Sequence, residues 1–260
     1  MRKLLLLTTL CVVTISFMSC EKDDNPNETP VPQPVDNSYS YGTSIKLADG
    51  TAKTFIKHDA AGVPLEIGVA ISENAVNTLP KTDADLILDL PASHLRMPFK
   101  FVHLNYMHGG HGPNGIYNKD LFDLRFYTVA NTVRESITSN NDPRLTRFPE
   151  KDKIPANYIF TGSAPLVGSI WTDTTSVEFK GQPFTATFVY GSLDGEMVFH
   201  EPKIAVEYLK KRETKMFPIK RPLKYPTAAS GFNYYPTEYW TRYNETLKQY
   251  EVVLKRMIQK

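Results

Sequence analysis

The chain has almost no cysteine. Of its 260 residues only Cys11 and Cys20 carry a thiol, and both fall in the first twenty. Processing at Cys20 would leave no thiol for a disulfide, a cysteine-zinc site or a cysteine nucleophile, so stability must come from a packed core. Excess charge is missing as well. The formal net charge is +2, and removal of residues 1–19 takes Arg2 and Lys3 with it and leaves basic and acidic side chains in balance. Nucleic-acid partners call for a basic stripe, and none is present. There is no internal repeat and no long apolar run beyond the first, and tryptophan is scarce, at 2 residues against 14 tyrosines.

What is present begins at the N-terminus. Met1-Arg2-Lys3 is basic, LLLLTTLCVVTISFM is apolar, and Ser19-Cys20 closes the segment. That order predicts a cleavable secretory signal with an apolar stretch of about fifteen residues. A membrane span needs roughly 20. The small residue before cysteine resembles a bacterial lipobox, which makes Cys20 the lipidated first residue of the mature chain. Lipidation by more than one chain (palmitate with diacylglycerol) matters because a single chain binds membranes only marginally. Residues 20–39 then form a tether. Pro26, Pro30, Pro32 and Pro34 favour an extended spacer, and large apolar side chains are nearly absent. At about 3.1 Å per residue it reaches roughly 50–60 Å from the membrane. Lys22-Asp23-Asp24 resembles the acidic signal that sends some Gram-negative lipoproteins outward. The expected location is the outer membrane, lipid-anchored and facing the cell surface, with the periplasmic face as the alternative.

Residues 40–260 read as one mainly β (α+β) domain, an antiparallel β-rich sandwich or barrel-like fold with a few short helices. Gly42–Leu47 and Thr51–Lys57 flank an Asp-Gly hairpin signal, and Val63–Ile71, Ala84–Leu90, Phe99–Met107 and Leu121–Val129 are strand-like. Glu73–Leu79 and Asn131–Ser139 are expected helices, the second capped by Asn131. Phe184–Tyr190 and Glu196–His200 form a hairpin. Pro202–Lys211 has helical apolar spacing. At the C-terminus the alternation of Tyr250, Val252 and Leu254 favours strands, while Val253, Leu254, Met257 and Ile258 also fit a helix face.

Three of the six histidines, His103, His108 and His111, fall within nine residues beside Gly109-Gly110. Imidazole is the commonest ligand of borderline metals, so the cluster raises a divalent-metal site. The spacing matches neither HExxH nor a closed zinc pattern, and a polar turn explains it equally. Ser169 and Ser192 lack a nucleophile-elbow context. Tyr234-Tyr235 and Tyr239-Trp240 could stack a sugar or pack across a sheet.

Gly110-His111-Gly112-Pro113, Gly115-Ile116-Tyr117 and Phe122-Asp123-Leu124-Arg125-Phe126-Tyr127 are similar to the GHxP…GxYxxPHFDxHFY run of the TTHB210-like family of bacterial proteins. The resemblance continues through Gly168–Asp173, through Pro183–Gly195 with Tyr190, and through Phe199-His200-Glu201-Pro202, covering about residues 45–255. It implies a β-rich domain that can form symmetric oligomers, and no established reaction. Departures matter as much. Family histidines are replaced by Leu121, Arg125 and Ile170, and the methionine after Glu-Pro by Lys203; His111, Asp123 and Glu201 remain. If the family's His and Glu hold a cation, this chain has lost most of the imidazoles. Arg125 and Lys203 would then supply fixed positive charge to Asp123 and Glu201.

The expectation is therefore a surface lipoprotein acting as a non-enzymatic binding or assembly module. Its candidate site comprises His103, His108, His111, Asp123, Arg125, Tyr127, Tyr190, Glu201 and Lys203, with no catalytic residue and no required cofactor. The alternatives are a metal-binding protein or metal-dependent enzyme on the three histidines, and a glycan binder. Expected partners are the membrane through Cys20, a second copy of the chain, and a glycan or small molecule, with no nucleic acid.

Overall fold

The computed structural model describes residues 38–113, 115–226 and 233–260. Cys20, the segment read as a signal and the tether through residue 37 lie outside the described residues. The fold begins inside the stretch assigned to the tether, because Tyr39 already opens a strand. Strands β1 (Tyr39–Tyr41), β2 (Ile45–Leu47), β3 (Gly50–His58) and β4 (Pro64–Ser72) start one sheet. A single helical turn, α1 (Glu73–Asn77), follows, with the Ser72 hydroxyl accepting from the Ala75 amide at 3.3 Å. The chain then crosses to a second sheet through β5 (Ala84–Asp89), β6 (Phe101–Met107) and β7 (Leu121–Tyr127). A long excursion carrying α2 (Asn131–Glu135) leads to β8 (Tyr158–Ala164), β9 (Gly168–Asp173), β10 (Ala186–Leu193) and β11 (Glu196–Ala205). After the turn α3 (Val206–Leu209), β12 (Lys215–Pro218), β14 (Glu238–Asn244) and β15 (Gln249–Lys255) return to the first sheet. The short β13 (Tyr234–Tyr235) and β16 (Ile258–Gln259) pair with each other.

The first sheet has the order β1-β3-β4-β15-β14-β12, with β2 also on β3; the second has the order β5-β6-β7-β11-β10-β9-β8. The two are antiparallel and pack as a sandwich, not a closed barrel. Strand alternation explains the core. Ile67, Val69 and Ile71 of one sheet and Phe122, Leu124 and Phe126 of the other point inward into a common cluster. Tyr250, Val252 and Leu254 join them, so the C-terminal segment is strand and not helix. Among the described residues no helix is long and apolar enough to cross a membrane.

Two local expectations are corrected. Pro202–Lys211 was expected to be helical, yet β11 runs on to Ala205 and only Val206–Leu209 coils. Burial on both faces of β11 overrides the local spacing. The α2 N-cap is Ala130, while the Asn131 side chain accepts from Arg134 and donates to Glu135. In the β10–β11 hairpin, Asp194 and Gly195 take positive φ, the pairing of a two-residue turn. Gly191 is required for a separate reason: the Phe199 ring lies across it, and a Cβ there would stand 1.8 Å from that ring.

Pro202 sits mid-strand in β11, paired with Phe188 on β10. It has no N–H to give to the other neighbour, and the β7 register runs through Phe199 and His200 and resumes only at Lys203.

The inner face also holds a histidine that sequence reasoning did not single out. His200 is buried among the rings of Tyr190 (4.8 Å), Phe99 (5.3 Å), Tyr235 (6.0 Å) and Phe188 (6.1 Å), and its Nδ1 has no hydrogen-bond partner among the described residues. Burial pushes its pKa down to about 3 from the ordinary 6.5. The folded protein thus holds it neutral while the unfolded chain protonates it. Its stabilising contribution is intact above pH 6.5 and is lost as pH falls toward 3, at about 1.4 kcal/mol per pH unit. Stability measured by urea unfolding across that interval should lose about one proton's worth of slope in His200→Phe. An unchanged slope would show that another group carries it.

Candidate functional site

The outer face of the second sheet carries the charges. Along β7, alternation sends Asp123, Arg125 and Tyr127 outward, and along β11 it sends Phe199, Glu201 and Lys203 the same way. The register places Lys203 opposite Asp123 and Phe199 opposite Tyr127, which sets Glu201 beside Arg125. All four charged side chains are nonetheless buried. Two pieces of chain cover them. The excursion after β7 packs Ile137 and Leu145 onto Phe101, Tyr127, Val189 and Phe199, and the β6–β7 loop brings His111 and Tyr117 over the other end. That loop closes on itself through the His111 amide donating to the Tyr117 carbonyl at 2.9 Å. Gly110, at φ +80°, permits the closure, since a Cβ there would lie 1.8 Å from the Tyr117 oxygen.

The geometry is a double bridge. Asp123 gives one carboxylate oxygen to Lys203 and the other to Arg125 Nη2 at 2.7 Å. Glu201 does the same, with Oε1 2.9 Å from Lys203 Nζ and Oε2 2.7 Å from Arg125 Nε. Opposite charges thus alternate both along and across the two strands, the arrangement in which every neighbour attracts. Burial by itself would raise the Asp123 pKa. The Lys203 and Arg125 charges outweigh burial and hold the carboxyl well below its ordinary 3.8. For Arg125, burial opposes the charged form, but Glu201 and Asp123 overcome it and the pKa is raised.

Histidines finish the two ends. Arg125 Nη1 lies 3.4 Å from His103 Nδ1, and as Arg can only donate, Nδ1 accepts. The remaining His103 N–H donates to Asp85 on β5. Burial lowers the His103 pKa, with the Arg125 charge adding to it and Asp85 opposing. At the other end His111 Nε2 accepts from Lys203 Nζ at 2.8 Å and also lies 3.1 Å from Asp123.

The structure therefore brings His103, His111, Asp123, Arg125, Glu201 and Lys203 together, but not the rest. His108 lies at the base of the β6–β7 loop, directly after Met107 and 3.1 Å from Asp120. The three imidazoles expected as a cluster lie against three separate carboxylates, Asp85, Asp120 and Asp123. Among the described residues no three His, Cys, Asp or Glu side chains converge as a metal-ligand set. Tyr190 faces the opposite way, since it pairs with His200 on the inner face while its neighbour Val189 pairs with Glu201 on the outer one. Tyr127 stacks on Phe101 at 4.8 Å and donates to the Val167 carbonyl, a packing role. Tyr235 and Tyr239 are buried, Tyr239 stacked on Phe217 at 4.7 Å, so the C-terminal aromatics chiefly pack. Ser192 accepts from Trp171 Nε1, and Ser169 donates to the Leu145 carbonyl.

Beside the double bridge lies a cavity of about 210 Å³, floored by Arg125, Glu201 and Lys203 and walled by Tyr117, Ile170 and Thr172. Comparison with known family models, curated proteins and solved structures gives no match. Function must be argued from this geometry. Asp85, Tyr117 and Thr172 were missed as site residues. The alternation in Ala84–Asp89 offered a hint of Asp85, whereas nothing local to Thr172 marks it.

Arg125→Met should destabilise the fold by about 3–5 kcal/mol, because it strands buried carboxylates. Replacing Arg125 and Glu201 together by apolar residues should cost less than Arg125→Met alone, as read by chemical denaturation. A double-variant cost equal to the sum of the two single-variant costs would mean that the bridge is not coupled.

Proposed function

We propose that this protein is a non-enzymatic binding module of the TTHB210-like type, anchored at the outer membrane by lipid on Cys20 and facing outward. One observation carries this reading: each of the two buried carboxylates is already shared between Lys203 and Arg125. A carboxylate held in that way is neither a free general base nor an open metal ligand. The pair of cations stands where a dication between Asp123 and Glu201 would have to sit, so the residues present do not fit a metal. In this reading Arg125 and Lys203 have taken over a cation's role and turned the position into a structural support for the neighbouring cavity. Cys20, followed by its acidic, proline-rich spacer, supports the anchored and outward-facing part.

The competing reading, a metal protein built on His103, His108 and His111, separates by metal analysis. Protein purified without a histidine tag should contain far less than one equivalent of zinc, iron or copper. A stoichiometric metal would overturn the binding-module reading. For the anchor, Cys20→Ser should abolish incorporation of labelled palmitate and release the protein from the membrane fraction. Proteinase K should degrade the wild type on intact cells, and full protection there would place it on the periplasmic face.

A further inference from the structure

We infer that the cavity beside the double bridge takes a small uncharged polyhydroxyl compound, in the size class of a single sugar ring. The inference rests on the binding-module reading and names the ligand of that site. Its volume of about 210 Å³ would hold about seven waters at roughly 30 Å³ each, enough for one small ring and too little for a large ligand. The mouth lies where Gly112, Pro113 and Thr161 are exposed, and the depth is formed by Arg125, Glu201 and Lys203.

Charge decides the ligand class. Lys203 directs its ammonium to Asp123, Glu201 and His111, which uses all three of its N–H groups. No ammonium donor is left for an anion. Both Glu201 oxygens are already on cations, so a ligand ammonium would have to displace one of them. The four buried charges cancel, and a charged guest would leave a net buried charge that nothing nearby neutralises. What remains open suits single hydroxyl groups. The Thr161 and Thr172 hydroxyls are hydrogen-bonded to each other at 3.0 Å, and each keeps a lone pair that can accept from a ligand hydroxyl. Arg125 spends three of its five N–H groups on Glu201, Asp123 and His103. The Glu201 oxygens keep second lone pairs. The Tyr117 ring, Ile170 and Val189 supply the apolar wall that the C–H faces of a sugar would cover.

The test uses one ring in three charge states. The full chain, in a sugar-free detergent, is titrated calorimetrically with neutral methyl hexosides of the gluco, galacto and manno configurations. The matching hexuronates and hexosamines follow. The expected result is one-to-one binding of at least one neutral hexoside, with its charged counterparts weaker by about tenfold or more, which is about 1.4 kcal/mol. Thr172→Val keeps the side-chain shape and leaves the ion pairs intact, and it should weaken the neutral hexoside by about tenfold. Thr161→Ala, at the exposed mouth, serves the same purpose if Thr172→Val fails to fold. The inference is overturned if no neutral hexoside binds, if a charged form binds as tightly, or if the threonine variants bind like the wild type. Tighter binding of a charged ring sinks the ligand class and leaves the binding-module reading standing, whereas stoichiometric metal sinks that reading itself.

Discussion

Two carboxylates and two cations, each bonded to both members of the other kind, are the constraint around which the outer half of this molecule is built. Buried ion pairs add little net stability compared with apolar packing, because desolvation takes back most of the Coulomb attraction. Their effect is one of specificity. A slip of β11 by one residue against β7 would turn Glu201 and Lys203 into the aromatic core and bring His200 and Ile204 to the outer face. The wrong register therefore carries a large penalty, and the right one is defined even though the strands are buried on both sides.

The same charges explain why the chain spends so much length off the sheets. A sheet face of mixed charge in water would need no cover. Here the excursion after β7 seals the apolar half through Ile137 and Leu145, and the β6–β7 loop seals the ionic half through His111 and Tyr117. Between the two seals the cavity persists, because side chains locked into mutual bonds cannot swing in to fill it. A polar floor and a largely apolar wall arise together from one packing solution.

Much of the sandwich was legible in the sequence. Alternation marked β3, β4, β6, β7, β10 and β15, and apolar positions such as Ile67, Val69 and Ile71 pointed where they should. The pairing of Arg125 with Asp123 and Glu201 was legible only as a substitution pattern against the family's motif. Burial of that quartet was not, since polar residues on a strand ordinarily mark a solvent face and the covering segments come from elsewhere in the chain. Strand β8 was hidden because a register shift between Phe160 and Gly162 breaks its alternation. The burial of His200, quoted only as part of the family's motif, was not legible because its environment is assembled from Phe99, Tyr190 and Tyr235, which are distant in sequence.

Pro202 gives the central strand an unusual property. Beside that residue the backbone ladder between β7 and β11 lapses, and the bond spanning the gap is that of Arg125 to Glu201, with Lys203 and Asp123 bonded at its edge. A backbone ladder carries no group that titrates, whereas a seam closed by ionised side chains holds only while its carboxylates stay ionised. The second sheet is thus stitched electrostatically at one of its two central joins, and because the Lys203 and Arg125 charges hold Asp123 well below its ordinary pKa, that stitch stays closed until strongly acid pH.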